Sequence, residues 1–181
     1  MAIPNFSALN VLVADDSLQM RRLLLAMLNA IGVWNVRTAI DGREAFDSFS
    51  QQRPDILITD ADMGQVGGME LVRSVRRYQD QTGPYVPIIM VTGHTEQSWV
   101  EEARDAGVDE FLAKPISAGS LYVRVCEVIL NPRPFVRSSD YLGPDRRRRD
   151  SSNYEGPMRR QEDVRLTGAG DHAIQVQTKQ I

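Results

Sequence analysis

The sequence predicts an α/β fold: a doubly wound, five-stranded parallel sheet with five helices, followed by a mostly disordered C-terminal tail. Between residues 8 and 130, five short apolar runs alternate with five amphipathic stretches. The apolar runs are mostly continuous, which is typical of strands buried on both faces of a parallel sheet. Regular alternation of strands and helices implies right-handed crossovers, with helices on both faces of the sheet.

Each element has its own local signal. The apolar runs predict strands at Leu9–Ala14, Trp34–Ala39, Ile56–Thr59, Val86–Val91 and Val108–Ala113. Apolar residues at helical spacing follow each run, in Leu23–Ile31, Ala45–Phe49, Leu71–Tyr78, Trp99–Ala106 and Leu121–Ile129. Gly32 and Gly107 stand where a left-handed residue ends a helix. The expected N-caps are Ser17, Asp41, Thr95 and Ser117.

The pattern stops at Asn131, which places the domain at residues 8–130 and a polar, arginine-rich tail at residues 131–181. Only 13 of the last 51 residues are apolar, and prolines and glycines are scattered among them. Such a segment buries too little apolar surface to offset the entropy lost on ordering. We therefore predict that the tail is largely disordered, with Phe135–Tyr141 as the part that could rest on the domain.

Composition excludes several classes of protein. The chain is 42% hydrophobic and 25% charged, with no apolar run long enough for a membrane span and no secretory signal at its start. Cys126 is the single cysteine, so no intrachain disulfide can form, and the two histidines, His94 and His172, lie far apart, which disfavours a zinc site. We expect a cytoplasmic protein.

Charge divides the chain in the same place. The net charge of −3 combines a domain at −6, over residues 1–130, with a tail at +3. The tail's main feature is the run Arg146–Arg149, flanked by Asp145 and Asp150. The run can contact nucleic acid, an acidic protein or only solvent. The flanking acids dilute its field and no helix-turn-helix pattern is present, so we favour protein contact or no role over DNA binding.

Polar side chains stand at the ends of four predicted strands. The first strand ends in Asp15-Asp16, the third in Asp60, the fourth in Thr92 and the fifth in Lys114. In a parallel sheet these ends converge on one edge, where doubly wound folds bind ligands. Clustered carboxylates favour a hard cation such as Mg²⁺, and a carboxylate beside a cation can attack phosphorus to form an acyl phosphate.

This set of residues resembles the receiver domain of two-component response regulators. The stretch Asp60–Leu71 resembles that family's signature after its phosphorylated aspartate, and the resemblance covers about residues 8–130. It implies a flavodoxin-like fold and a phosphorylation switch, not a conventional enzyme. It also implies that Asp60 receives a phosphoryl group from a histidine kinase or a histidine phosphotransfer protein.

The resemblance assigns roles around Asp60. Asp16 and Asp60 would bind Mg²⁺ through their side chains, Asp15 through water and Asp62 through its backbone carbonyl. Thr92 and Lys114 would contact the phosphoryl group. In this family an aromatic residue three positions before the lysine changes rotamer with the threonine, and that position is Phe111 here.

The sequence departs from the family in a few places. Gly64 stands where proline is usual, and Gly67 replaces a common aspartate. Asp62 and His94 occupy positions that the family varies to tune the lifetime of the phosphoryl group. Phe111 has no hydroxyl, so a switch there would act by packing alone. None of these departures removes a required group.

Each single feature also has an ordinary structural explanation. Asp15-Asp16 alone could be helix capping, Phe111 a core residue and His94 a solvated loop residue.

Three other functions remain open: an interaction module that is never phosphorylated, a nucleic-acid-binding regulator that uses its arginine tail, and a small haloacid-type phosphatase with Asp62 as its second acid. The phosphatase would need its nucleophile after the first strand and a substrate cap. We expect a stand-alone switch that acts on a downstream protein through altered contact.

Overall fold

The computed structural model describes residues 4–94, 96–137, 141–145 and 164–166. The elements in chain order are β1 (Asn10–Ala14), α1 (Leu18–Ala30), β2 (Asn35–Ala39), α2 (Gly42–Gln51), β3 (Ile56–Asp60), α3 (Gly68–Thr82), β4 (Ile88–Thr92), α4 (Gln97–Ala106), β5 (Glu110–Ala113), α5 (Ala118–Leu130), β6 (Phe135–Arg137), β7 (Leu142–Pro144) and β8 (Val164–Leu166). The five predicted strands and five predicted helices are all present, with ends shifted by two residues at most in the strands.

The first five strands form one parallel sheet in the order β2-β1-β3-β4-β5. The chain moves outward from β1 to β2 and then crosses back to β3 on the other side of β1. The direction of winding therefore reverses between β1 and β3, which creates a crevice at the carboxyl ends of these two strands. The predicted doubly wound fold is confirmed.

Two hydrophobic cores lie on the two faces of this sheet. Successive residues of a strand point to opposite faces, so Leu12 and Leu57 join the core beneath α2, α3 and α4, while Val11 and Ile58 join the core beneath α1 and α5. Every residue of β3 and β4 is buried. Burial on both faces explains why the apolar runs of the sequence are continuous.

Three of the four expected helix caps are present. The side chains of Ser17, Asp41 and Ser117 accept hydrogen bonds from backbone N–H groups in the first turns of α1, α2 and α5. The prediction for α4 was wrong by one residue, because its N-cap is Glu96, which makes no side-chain cap bond; Thr95 itself lies outside the described residues. Gly107 ends α4 in the left-handed conformation, with φ of 104°.

A buried ion pair holds the edge of the sheet at which the strands begin. Arg76 of α3 is 2% exposed, and its guanidinium donates hydrogen bonds to the carbonyls of Val86 and Gly107 and to the carboxylate of Asp109, which lies 2.7 Å away. Burial lowers the pKa of Arg76 and raises the pKa of Asp109, and each charge opposes the shift of the other. The pair ties α3 to the segments that lead into β4 and β5.

Part of the predicted tail is folded against the domain. β6 pairs with β7 in antiparallel fashion, and the ring of Phe135 stacks on Tyr85 with 3.9 Å between ring centres. The guanidinium of Arg76 lies 4.8 Å from the centre of the same ring. The packed structure therefore continues beyond the end of α5. The disorder predicted for the rest of the tail concerns residues outside the described ranges, except for β8, which pairs with β6.

The buried pair generates a stability prediction. Arg76→Met should lower the free energy of unfolding by about 3–5 kcal/mol, because it leaves the Asp109 carboxylate buried without its cation. Arg73→Met is the matched control on the same helix: Arg73 pairs with Glu102 at the surface, and such pairs contribute about 0–1 kcal/mol. Urea unfolding measures both. Equal losses in the two variants would contradict a stabilising role for the buried pair.

Candidate functional site

The carboxyl edge of the sheet gathers the polar residues that the sequence singled out. Asp15 follows β1, Asp60 ends β3, Thr92 ends β4 and Lys114 follows β5. In the sheet register Asp60 lies beside Val91, and the strand that carries Thr92 pairs with the strand that leads to Lys114. The parallel topology therefore converts four positions that are distant in sequence into one site.

Three carboxylates form a cluster at this edge. Asp15, Asp16 and Asp60 each offer an oxygen atom, and these atoms lie within 4.8 Å of one another. Asp15 and Asp60 are 1% and 5% exposed, whereas Asp16 faces solvent. Burial, together with the negative charges of Asp60 and Asp16, raises the pKa of Asp15, and a hydrogen bond from the Ser17 N–H opposes this rise. The cluster is thus held together against its own repulsion.

One oxygen of the cluster indicates that a cation fits there. Oδ1 of Asp15 accepts the Ser17 N–H at 2.8 Å, but Oδ2 is buried and accepts no hydrogen bond from any described residue. A buried carboxylate oxygen without a donor is costly unless a cation or a water satisfies it. With three hard oxygen donors in reach, the donor set suits a hard divalent ion.

The ammonium group of Lys114 brings a positive charge to the carboxylate cluster. Its Nζ lies 2.8 Å from Oδ1 of Asp60, and the Ala61 N–H donates to the same oxygen at 2.9 Å. Oδ2 of Asp60 accepts no hydrogen bond from the described residues. One oxygen of Asp60 is therefore anchored, while the other is left available for chemistry.

The loop after Asp60 depends on a close approach between two backbone segments. Gly68 begins α3, and its N–H donates to the carbonyl of Ala61 at 3.0 Å. A Cβ atom at this glycine would collide with the backbone carbonyl of Asp60. Any larger residue would push α3 away from the end of β3, so Gly68 sets the position of the loop that borders the site.

A line of side chains forms one rim of the site. The Thr92 hydroxyl accepts the His94 N–H at 2.9 Å, and Nε2 of His94 lies 2.9 Å from Oδ2 of Asp62. The His94 ring stacks on Trp99 with 4.9 Å between ring centres, and Trp99 meets the edge of Phe111 at 6.4 Å. The rim therefore connects the loops after β3 and β4 to a half-buried aromatic residue on β5.

In the sequence Asp62 and His94 stand out as separate positions, and neither their contact nor the stacking of His94 on Trp99 is predicted there. A signal was present: Asp62 stands two residues after Asp60, and His94 stands two residues after Thr92. Because β3 and β4 are neighbours in the sheet, equal distances beyond the two strand ends bring these side chains together. Phe111 packs against Trp99 and the core, in agreement with the alternative prediction that it is a core residue.

Comparison with known proteins assigns the chain to a family. The model of the response regulator receiver domain matches residues 11–126. The chain belongs to the response regulator receiver family. It is 32% identical over 117 residues to the chemotaxis protein CheY of Pseudomonas aeruginosa, covering 65% of this chain and 93% of that protein. The solved structure of CheY4 of Vibrio cholerae is 31% identical, with a TM-score of 0.62, and covers 67% of this chain and 98% of that one.

Other relatives share only part of their length with this receiver chain. It is 38% identical over 116 residues to a protein-glutamate methylesterase/protein-glutamine glutaminase of a Nocardioides species, but spans 31% of that protein. It spans 53% of the response regulator MprA of Mycobacterium avium. The likeness therefore concerns the receiver domain, a signalling switch, and carries no methylesterase activity to this chain. Among the described helices, none has the length and apolar content of a membrane span.

The crowding of carboxylates in this receiver site predicts the effect of removing one charge. Without divalent ions, Asp15→Asn should raise the free energy of unfolding, because it removes a buried carboxylate that the neighbouring carboxylates repel. Adding Mg²⁺ should stabilise the unaltered chain more than the variant. Thermal unfolding with and without Mg²⁺ measures both effects.

Asp47→Asn is the matched control, since this carboxylate is exposed on α2, away from the strand ends. It should change neither the stability by more than a few tenths of a kcal/mol nor the response to Mg²⁺. If Asp15→Asn instead lowered the free energy of unfolding, repulsion among the carboxylates would not destabilise this site.

Proposed function

We propose that this chain is a phospho-accepting response regulator in which Asp60 takes a phosphoryl group from a histidine kinase or a histidine phosphotransfer protein. The observation that carries the proposal is the pairing of a buried carboxylate with Lys114 beside two further carboxylates, at the switch point of the sheet. Membership of the receiver family and the CheY relatives support it. The chain would pass its signal to a downstream protein through altered contact.

The chemistry follows from the two oxygens of Asp60. Oδ2 attacks the phosphorus of a phosphohistidine in line, so that a P–O bond forms while the P–N bond breaks and its electrons return to the imidazole of the donor. Lys114 is held beside the acceptor carboxylate at 2.8 Å, where its ammonium can follow charge onto a phosphoryl oxygen. The Thr92 hydroxyl at the end of β4 would donate to another.

A divalent cation fits the same edge. Asp16 and Asp60 would hold Mg²⁺ with their carboxylates, Asp15 would assist through a water molecule, and Asp62 would add its backbone carbonyl. When bound, Mg²⁺ supplies positive charge to the phosphoryl oxygens and offsets the repulsion among the carboxylates. The unpartnered Oδ2 of Asp15 supports this assignment.

The rim offers a route from chemistry to shape. If the Thr92 hydroxyl turned toward a phosphoryl oxygen, the hydrogen bond that it accepts from the His94 N–H would break. His94 is stacked on Trp99, and Trp99 packs against Phe111, so the ring of Phe111 would repack with them. Phosphorylation would then change the surface formed by α4, β5 and α5 by a population shift.

The other candidate functions find less support. A haloacid-type phosphatase would carry its nucleophile after the first strand, whereas Asp60 ends β3. An interaction module that is never phosphorylated would have no need for the complete set of carboxylates, lysine and threonine. The arginine run at 146–149 lies outside the described residues, so the structure adds nothing to the nucleic-acid alternative.

Incubation with acetyl phosphate tests the proposal. In the presence of Mg²⁺ the chain should gain the mass of one phosphoryl group, and Asp60→Asn should gain none. Removing Mg²⁺ should abolish the gain, because the phosphoryl charge is then poorly compensated. Asp47→Asn is the control: its carboxylate is exposed on α2, away from the strand ends, so the variant should still be phosphorylated. A folded, Mg²⁺-loaded chain that gained no mass would contradict the proposal.

The contact between His94 and Asp62 predicts an effect on the lifetime of the phosphoryl group. The two side chains lie 2.9 Å apart on the rim, beside the ends of β3 and β4, where they would restrict the approach of water to a phosphoryl group on Asp60. His94→Ala should therefore shorten the lifetime several-fold while leaving the site of phosphorylation unchanged. Mass spectrometry after removal of acetyl phosphate follows the decay. An unchanged or longer lifetime would show that this contact does not shield the acyl phosphate.

A further inference from the structure

We propose that β6 and β7, hereafter the C-terminal hairpin, undock from the receiver when Asp60 is phosphorylated, which makes the hairpin an output element of this chain. The inference rests on the proposed function, because it needs a phosphoryl group on Asp60. It goes beyond that function by naming the surface that responds. The hairpin sits at the opposite edge of the sheet from the phosphorylation site, so the argument depends on what connects the two edges.

The hairpin is seated by a contact between two glycines. A Cβ atom on Gly143 would lie 3.0 Å from the Cα atom of Gly107, and one on Gly107 would lie 3.2 Å from the carbonyl oxygen of Leu142. The backbone of β7 therefore rests directly on the residue that ends α4. Such a contact tolerates little displacement of α4, because neither backbone can yield as a flexible side chain would.

The hairpin is also attached to the start of β5 by charge. Arg133, just before β6, lies 2.8 Å from Oε1 of Glu110, and Arg124 of α5 lies 3.3 Å from Oε2 of the same carboxylate. Glu110 is 4% exposed, so this ion pair is screened little by solvent. A small movement of Glu110 would break a partly buried pair and cost more than the loss of a surface pair.

A third attachment runs through Arg76. Its guanidinium lies against the Phe135 ring on one side and binds Asp109 and the Gly107 carbonyl on the other. Asp109 is the residue immediately before β5. Arg76 therefore contacts three elements at once: the hairpin, the end of α4 and the start of β5. Movement of one element relative to the others would break contacts of this guanidinium.

β5 connects the contacts that hold the hairpin to the phosphorylation site. It begins at Glu110, which pairs with Arg133 just before the hairpin, and is followed by Lys114, which pairs with Asp60. Four residue steps, about 13 Å of extended chain, separate the two ends. Among the strands that the structure describes, β5 is at the edge of the large sheet and pairs with β4 alone. It can therefore slide more freely than a strand that is paired on both sides.

α4 provides a second connection between the edges. It starts beside the rim formed by His94 and Trp99 and ends at Gly107, under the hairpin. When Lys114 follows charge from the Asp60 carboxylate onto the phosphoryl group, β5 is drawn toward the site and Glu110 away from Arg133. Repacking at Trp99 displaces α4 in the same event. Both changes weaken the contacts that hold the hairpin on the receiver. Phosphorylation and docking of the hairpin therefore oppose each other.

Hydrogen–deuterium exchange measures the docking of the hairpin in the full chain. The probe is beryllofluoride with Mg²⁺, a mimic of a phosphoryl group on a carboxylate. Amides of the hairpin segment, including the Asp145 N–H that donates to the Pro134 carbonyl, should exchange roughly fivefold faster or more with the probe, in the range of ordinary allosteric coupling. Asp60→Asn should show no change. Unchanged or slower exchange in the unaltered chain would overturn the proposal.

Reciprocity supplies a second measurement. If phosphorylation loosens the hairpin, a loosened hairpin must favour phosphorylation by the same factor. Arg133→Gln removes the pair with Glu110, and Gly143→Val would collide with the Tyr141 side chain inside the hairpin and with Gly107 beneath it. Each should lower, roughly fivefold or more, the concentration of beryllofluoride that half-saturates the chain. Glu101→Gln, an exposed carboxylate on α4 that contacts Gln97, is the control and should leave it unchanged.

The two proposals fail in different ways. If acetyl phosphate adds no mass at Asp60, the proposed function fails, whatever the hairpin does. If Asp60 is phosphorylated but the hairpin exchanges at the same rate and Arg133→Gln binds the probe like the unaltered chain, only the coupling is overturned. Urea unfolding of both hairpin variants checks that the receiver remains folded, and Arg133→Gln tests the proposal if Gly143→Val does not fold.

Discussion

The repulsion among three carboxylates is the constraint on which the rest of this structure depends. Asp15, Asp16 and Asp60 bring their oxygens within 4.8 Å of one another at an edge that is partly buried. A fold that holds them there needs a cation, and the structure provides one in Lys114, bound to a single oxygen of Asp60. The negative charge that remains favours a divalent ion, and this ion together with Lys114 would compensate the charge of a phosphoryl group on Asp60.

The opposite edge of the sheet carries the second ionic centre of the domain. There a single cation, Arg76, is surrounded by backbone carbonyls, by Asp109 and by the ring of Phe135. The two centres share β5, which begins directly after Asp109 and is followed by Lys114. β5 is therefore a short path between them. Its position at the edge of the sheet makes it the element best placed to report a change at one centre to the other.

The aromatic rim has a different physical character from either ionic centre. His94, Trp99 and Phe111 are joined by ring contacts, while His94 also meets Thr92 and Asp62 through hydrogen bonds. Ring stacking is weakly directional and allows repacking at low cost, whereas the hydrogen bonds are short and specific. The rim can therefore convert a small change at a hydroxyl group into a larger change on the surface of α4.

Local patterns in the sequence predict the parallel sheet, the five helices and the residues at the strand ends, because buried strands and amphipathic helices have spacings that a single chain displays. The remaining contacts depend on long-range packing. The partner of Arg76, the contact of His94 with Asp62 and the docking of the C-terminal hairpin on Gly107 each join residues that are distant in sequence. Equal spacing beyond two neighbouring strands points to the contact of His94 with Asp62, but no local pattern marks the other two. A tail poor in apolar residues is ordered where it packs against a buried cation and a glycine backbone.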